Sequence, residues 1–435
     1  MKEPRFLAVT LLDKTFRSGS YSNIQLGHGL EQSEMSERDK RLCSAIYYGV
    51  IERKITLDHI ISGLCSRPLE KLDLTVLNIL RCGMYQLLYM ENIPDNAAVN
   101  ESVNLAKKLR KTSASGMINA VLRNFIRNGK KYPLPKDTLK ASAIEFSSPE
   151  WLIGSISADY GTELMSDLLS DSLKKPPVTV RFNTTIASEE EILSQLGEIK
   201  AEKNLLIPNC YEVECGDITS TQAFKNGLLH VQDKASQLCC MALSPTENDL
   251  VLDLCSAPGG KAFTMAEMMN GKGGIYAFDL HEKRVKLIEN GAKRLKLSNI
   301  KAMTGDASAY NENLPKFDKI LCDVPCSGLG VIRRKPEIKY KNPTDFDGLM
   351  QVQYKIAENA LNYLKIGGEM VYSTCTLRKI ENDMVIDRLL ENHPEIEGIS
   401  FLENLGEPFG SHKVSIFPKY FGSDGFFISK IRKVR

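Results

Sequence analysis

An apolar run of strand length that ends in a Pro-Gly-Gly turn constrains the fold of this 435-residue chain more than any other stretch. In Val251-Leu-Asp-Leu-Cys-Ser-Ala-Pro-Gly-Gly-Lys261 the run gives way to small residues, and Lys261-Ala-Phe-Thr-Met-Ala-Glu-Met-Met269 then reads as a helix. Strand, open turn and helix in this order begin a βαβ unit, whose ligand lies against the loop after the first strand. The turn is not the dinucleotide fingerprint, because it lacks the G-x-G-x-x-G glycines that let a backbone approach a pyrophosphate.

The acids that follow narrow the ligand. Ile275-Tyr-Ala-Phe-Asp279 places a carboxylate at the end of a second strand, where it can take both hydroxyls of a ribose. Asp306 follows another short strand and Asp323 a fourth. A nucleoside without phosphates and with a cationic centre suits such a pocket, and S-adenosylmethionine fits that description. The expected cofactor residues are Cys255, Ser256, Ala257, Pro258, Gly259, Gly260, Lys261, Asp279, Asp306 and Asp323.

Two cysteines stand just after buried-strand patterns, in Lys319-Ile-Leu-Cys-Asp-Val-Pro-Cys326 and in Gly367-Gly-Glu-Met-Val-Tyr-Ser-Thr-Cys375. A single buried cysteine is usually a small apolar residue. Two at strand ends beside a cofactor loop point instead to a thiolate adding to a pyrimidine ring. The chemistry explains the need. Carbon 5 of cytosine is a poor nucleophile until a thiolate adds at carbon 6 and makes it an enamine carbon, so covalent catalysis splits one hard step into easier ones. A free thiol, with a pKa of about 8.5, ionises only with help from its surroundings. Lys261 and the Arg333-Arg334 pair are the candidate cations.

Taken together, Cys255 through Lys261, Asp323-Val-Pro-Cys326 and Ser373-Thr-Cys375 resemble the RNA cytosine-5 methyltransferases of the RsmB/NOP family, most closely the bacterial Sun/Fmu type. Gly328-Leu-Gly-Val-Ile-Arg-Arg-Lys-Pro-Glu337 and Val231-Gln-Asp-Lys-Ala-Ser-Gln237 extend the resemblance. Val324, Leu329 and Lys335 depart from the usual pattern at positions that touch neither cofactor nor nucleophile. The resemblance implies a Rossmann-like class I methyltransferase domain using S-adenosylmethionine. It implies Cys375 as nucleophile, Cys326 as the releasing group, and Asp323 as the residue holding the cytosine edge. It further implies a target in a hairpin loop of 16S rRNA, at cytosine 967.

Three parts are expected. Residues 1–140 are helical, with apolar residues at three and four spacing in 41–51 and 74–88. Asn96 to Lys108 and Gly116 to Asn124 resemble the NusB RNA-binding fold. Residues 145–225 read as a small α+β module of ferredoxin-like type, with a helix over Trp151 to Leu169, a strand over Pro176 to Asn183, and a second helix over Glu189 to Leu196. Trp151 is expected in that module's core. Residues 226–435 form the methyltransferase domain and close with an antiparallel hairpin, Ser415-Ile-Phe and Gly425-Phe-Phe-Ile-Ser-Lys-Ile.

Net charge is only +2, but its distribution favours a polyanion. Residues 1–145 hold 22 Lys and Arg against 15 Asp and Glu, a net of +7, which leaves −5 on the rest. Residues 102–136 hold nine basic side chains, among them Lys107, Lys108, Arg110, Lys111, Arg123, Arg127, Lys130 and Lys131, and no acid. That is the footprint expected for RNA phosphates.

The remaining cysteines, Cys43, Cys65, Cys82, Cys210, Cys215, Cys239, Cys240, Cys255 and Cys322, form no C-x-x-C pair, and the six histidines are scattered, so no metal site is expected. An odd cysteine total, no signal peptide and a reactive thiol lead to the expectation of a reducing cytoplasm, and no stretch is long enough for a membrane span. A monomer is expected, though no feature of the sequence gives the oligomeric state. The alternatives are the same chemistry on transfer RNA or another rRNA site, a non-catalytic RNA-binding factor, and a small-molecule methyltransferase. The intact acids and cysteines weigh against the second, and the long N-terminal region against the third.

Overall fold

In the computed structural model, which describes residues 3–18, 22–214 and 216–435, the chain divides into two compact units. The first comprises residues 1–174 and 332–341, the second residues 175–331 and 342–435.

The first unit is helical and centres on the helix Leu74–Tyr89. The Asp73 carboxylate accepts from the Thr75 and Val76 N–H groups and starts this helix; twelve of its sixteen residues are buried. Helices Pro4–Ser18, Glu37–Glu52, Asp95–Lys108 and Ser115–Arg127 pack around it. A helix buried around most of its surface, polar Asn78, Arg81 and Gln86 included, sits at the middle of a bundle, and this one does.

Helix Glu150–Asp171, expected at the head of the middle module, packs on helix Thr138–Glu145 and falls within residues 1–174 of the first compact unit. Its last residue, Asp171, accepts from Arg333 at 2.8 Å. The periodicity of a helix marks its apolar face but not the neighbour that covers it. Trp151 is only half-buried, so it is not a core residue.

The second unit contains two sheets. A four-stranded antiparallel sheet is built from β1 (Val178–Phe182), β2 (Ala201–Lys203), β3 (Cys210–Val213) and β4 (Leu229–Val231), in the order β2-β3-β1-β4. Helix Glu189–Ser194 packs its Ile192 into that sheet's core, as expected for the ferredoxin-like module.

The larger sheet has eight strands: β5 (Leu250–Asp253), β6 (Gly274–Asp279), β7 (Ile300–Thr304), β8 (Phe317–Asp323), β9 (Leu364–Thr374), β10 (Ile396–Gly398), β11 (Lys413–Ile416) and β12 (Phe426–Lys433). Their order is β10-β12-β9-β8-β5-β6-β7, with β11 on β12. The run β7-β6-β5-β8-β9 is parallel, and β10, β11 and β12 pair antiparallel. The closing hairpin is therefore as expected.

The central strands are apolar on both faces because both faces are covered. Val251, Leu321 and Val371 face one core; Leu252, Ile320, Cys322, Met370 and Tyr372 face the other, in strict alternation. Cys239 and Cys240 lie fully buried on helix Lys234–Leu243, again as expected. Cys215 lies outside the described residues.

Candidate active site

The strand order reverses at β5, whose neighbours are β6 on one side and β8 on the other. Loops leaving such a switch point diverge and open a crevice at the carboxyl ends of the strands. A cleft of about 200 Å³ lies there. Of the expected cofactor residues, Cys255, Ser256, Ala257, Pro258, Gly260, Lys261 and Asp323 line it.

Gly259 shapes the turn without lining the cleft. Its φ is +108°, and a Cβ there would meet the Phe263 ring at 2.4 Å. Asp279 and Asp306 stand at the ends of β6 and β7, outside the lining residues. The buried Asp279 carboxylate pairs with Arg284 at 3.1 Å and accepts from the His281 N–H. Asp306 accepts from the Ser308 hydroxyl and N–H, which hold it below its ordinary range.

Five further cleft residues were not among the expected cofactor residues: Val231, Gln232, Asp233, Ser236 and Asp253. Asp253 closes β5, and burial pushes its carboxyl up to about 7. The Ser256 side chain and the Cys255 N–H lie near enough to favour its charge, but among the described residues neither Asp253 oxygen, nor the Ser256 hydroxyl, nor the Gln232 amide nitrogen makes a hydrogen bond of good geometry. Buried polar atoms are rarely left so, and three residues with orphaned atoms in one cleft fit a polar, cationic ligand. The signal for Asp253 was present: an acid ending the first strand of a βαβ unit.

Asp323 joins the cleft to the cysteines. It lies opposite Ser373 in the β8–β9 register, and the Ser373 hydroxyl donates to its Oδ1 at 2.8 Å. Lys261 Nζ donates to Oδ2, also at 2.8 Å. Burial works against the Lys261 charge, but Asp323 outweighs it and keeps the ammonium protonated well above its ordinary range. Of the candidate cations, Lys261 is thus committed to Asp323, and Arg333 to Asp171 in the first unit.

The two cysteines come together. Cys326 Sγ and Cys375 Sγ lie 3.2 Å apart, on the loops after the adjacent strands β8 and β9. The hydrogen bond with Cys375, reinforced by burial, pushes the Cys326 thiol well above its ordinary range. The backbone makes the approach possible at two glycines. Gly330 N donates to the Cys375 carbonyl and Gly425 N to the Gly330 carbonyl, each at 2.9 Å. A Cβ on Gly330 would fall 2.0 Å from the Gly425 oxygen. Among the described residues no cluster of metal-ligating side chains occurs, and no helix is long and apolar enough to cross a membrane.

The basic stretch divides in two. Lys108 pairs with Glu3, Lys111 with Asp73 and Lys130 with Asp95. Lys107, Arg110, Arg127 and Lys131 are exposed and form no ion pair among the described residues.

Comparisons agree with this architecture. Residues 240–432 match the model of the 16S rRNA methyltransferase RsmB/F family, residues 2–127 the NusB family, and residues 148–213 the RsmF/B-like ferredoxin-like domain. The chain is 38% identical to the probable ribosomal RNA small subunit methyltransferase B of Bacillus subtilis, over 99% of this chain and 98% of that one. It is 32% identical to the like-named protein of Synechocystis over the whole of both chains. Among solved structures, PH0851 superposes with a TM-score of 0.83 at 23% identity, covering 99% of each chain. NSun6 from Pyrococcus horikoshii, solved with SFG, gives a TM-score of 0.61 at 21% identity, over 66% of this chain and 98% of that one. With three domain models in order and full-length relatives above 30% identity, the chain belongs to the RsmB/F family and is an S-adenosylmethionine-dependent rRNA methyltransferase.

Proposed function

We propose that the protein methylates carbon 5 of one cytosine in 16S rRNA through a covalent adduct on Cys375, released with help from Cys326. The observation that carries this reading is the 3.2 Å approach of the two thiols beside Asp323. S-adenosylmethionine, when bound, supplies the electrophilic methyl group. The residues that hold it are Cys255 to Lys261 and Asp253 in the cleft, with Asp279 for the ribose hydroxyls and Asp306 beyond it. SFG, an S-adenosylmethionine analogue, in the NSun6 structure supports the cofactor.

The roles of the thiols are those that the family resemblance implies, with Cys375 as nucleophile and Cys326 as the releasing group. The bond to Cys375 and burial, which both favour the neutral form of Cys326, support that assignment. The Cys375 sulfur adds to carbon 6, and the 5,6 electron pair becomes available at carbon 5. After methylation, the proton on carbon 5 passes to a base. Its bonding pair re-forms the 5,6 double bond, the C6–S bond breaks, and Cys375 departs as a thiolate that the Cys326 S–H stabilises. Ser373 and Lys261 fix the plane of Asp323, whose oxygens retain lone pairs for the cytosine amino group and repel the carbonyl of uracil.

A stacked base cannot react, so the target is unpaired or flipped, which costs least in a hairpin loop. The exposed cations of the helical unit bind RNA phosphates. The protein acts as a monomer in the cytoplasm.

The test is incubation with labelled S-adenosylmethionine and 16S rRNA, followed by bisulfite mapping. One modified cytosine, at the hairpin-loop position 967, is the expected result. Label on another rRNA cytosine or on transfer RNA overturns the target and keeps the chemistry. Label on a base other than cytosine overturns the chemistry.

A further inference from the structure

Glu381 is buried beside the thiols, 1% exposed, and it does not line the cofactor cleft. Its bonds converge on the cysteine loops. Oε2 accepts from the N–H of Ser327 at 2.8 Å, the residue directly after Cys326. The same oxygen accepts from Gln353 Nε2 at 3.0 Å, and Gln353 Nε2 also lies 3.0 Å from the carbonyl of Pro325, the residue directly before Cys326. Oε1 accepts from Arg378 at 3.1 Å, and the Glu381 carbonyl from the Tyr372 hydroxyl at 2.6 Å.

Cys326 is thus held on both sides by one carboxylate and one amide. The Ser327 hydroxyl completes the clamp by donating to Thr376 Oγ1 at 2.8 Å, next to Cys375. A buried carboxylate is costly unless paired and hydrogen-bonded. A scaffold needing only packing could fill this place with an apolar residue.

We infer that Glu381, acting through Gln353 and the Ser327 N–H, is a positioning residue that holds Cys326 in register with Cys375 for release of the methylated base. This rests on the release role given to Cys326 above. In the free protein the Cys375 bond, burial and the Glu381 charge all favour the protonated Cys326 thiol. In the adduct, where the Cys375 sulfur is bonded to carbon 6, burial and the Glu381 charge remain. Because a protonated Cys326 is what assists release, release slows as pH rises through its titration in the adduct. Removing the charge moves that inflection to lower pH.

The experiment follows the lifetime of the protein–RNA adduct on denaturing gels across pH, after a single turnover. In Glu381→Gln, cofactor binding and adduct formation persist, the adduct lives roughly tenfold longer, and the inflection moves to lower pH. Gln353→Ala, which keeps the charge but loosens the Pro325 side, lengthens the lifetime and leaves the inflection in place. In a Cys326→Ala background neither change adds to the adduct lifetime. A merely structural Glu381 gives the contrary result: lower melting temperature and less adduct formed, with lifetime and inflection unmoved in both variants. If Cys326→Ala traps an adduct while Glu381→Gln and Gln353→Ala release theirs at the wild-type rate, this inference fails alone. If Cys326→Ala traps none, the release role of Cys326 fails and the inference falls with it.

Discussion

The cofactor cleft after β5 and the thiol pair after β8 and β9 lie on the same edge of one sheet, yet they bond their polar groups to different degrees. In the cleft, Asp253, Ser256 and Gln232 keep buried atoms without partners of good geometry among the described residues. Around the thiols, Ser327, Thr376 and Glu381 are bonded to one another or to Gln353, and Asn382 joins Thr374 and the Thr376 carbonyl, while Gln353 Oε1 and Arg378 Nε are the atoms left over. A site that takes a ligand and gives it up leaves its bonding capacity to that ligand. A site that makes and breaks a covalent bond needs atoms fixed in place beforehand, because small misplacements cost large factors in rate.

Removing the nucleophile breaks the second region alone. Cys375→Ala should lower methylation by at least ~10³-fold while leaving the affinity for S-adenosylmethionine unchanged, as read by filter assay and calorimetry. Cys326→Ala should leave adduct formation intact and stall its release, seen as a persistent slow band of protein with RNA. Trapping by Cys375→Ala instead would reverse the two roles.

Asp253→Asn tests the cleft alone. Because burial raises the Asp253 carboxyl to about 7, the cofactor-free protein is destabilised as pH rises from the unfolded value toward 7, where a buried charge must form. A cation in the cleft reverses the sign. Wild-type affinity for S-adenosylmethionine should therefore rise with pH through about 7. The variant should show a flat profile and bind roughly tenfold more weakly at pH 8. Adduct release should not change, and a change in it would show coupling between the two regions through Asp323, which bonds to Lys261 on one side and Ser373 on the other.

The smallest effect lies in the helical unit. Neutralising Lys107, Arg110, Arg127 and Lys131 should flatten the salt dependence of RNA binding, by up to about 0.7–0.9 in slope for each phosphate deprived of its cation. Neutralising the paired Lys108, Lys111 and Lys130 should change the melting temperature more than the slope. Equal slopes in the two sets would return the whole stretch to a solvated helical face.

Much of this was legible in the chain. The turn Cys255 to Lys261, the strand-end acids and the two cysteines are local patterns, and a local pattern carries its own backbone geometry. The central strands were readable for the same reason, since burial on both faces leaves an apolar run. Asp253 was legible as a strand end but not as an orphaned carboxylate, because a missing partner is a property of every neighbour at once. Glu381 gave no signal, standing among polar residues in a short turn after Cys375. Arg333 offered itself as a thiol-activating cation by sequence proximity to Cys326, and its bond to Asp171 takes it into the other unit.

The sequence by itself determined the types of element and singled out the loop Cys255 to Lys261 and the two cysteines at strand ends. Propensity, periodicity and turn chemistry all act within a few residues. Only the tertiary structure decided that the sulfurs meet at 3.2 Å, that Ser373 and Lys261 share Asp323, and that Glu381 holds the loop carrying Cys326. Those pairings join residues about 50 or more apart in the chain, and they exist because β5, β8 and β9 lie side by side in one parallel sheet. Strand order and register are settled by the burial of two faces together, which no single segment of the chain encodes.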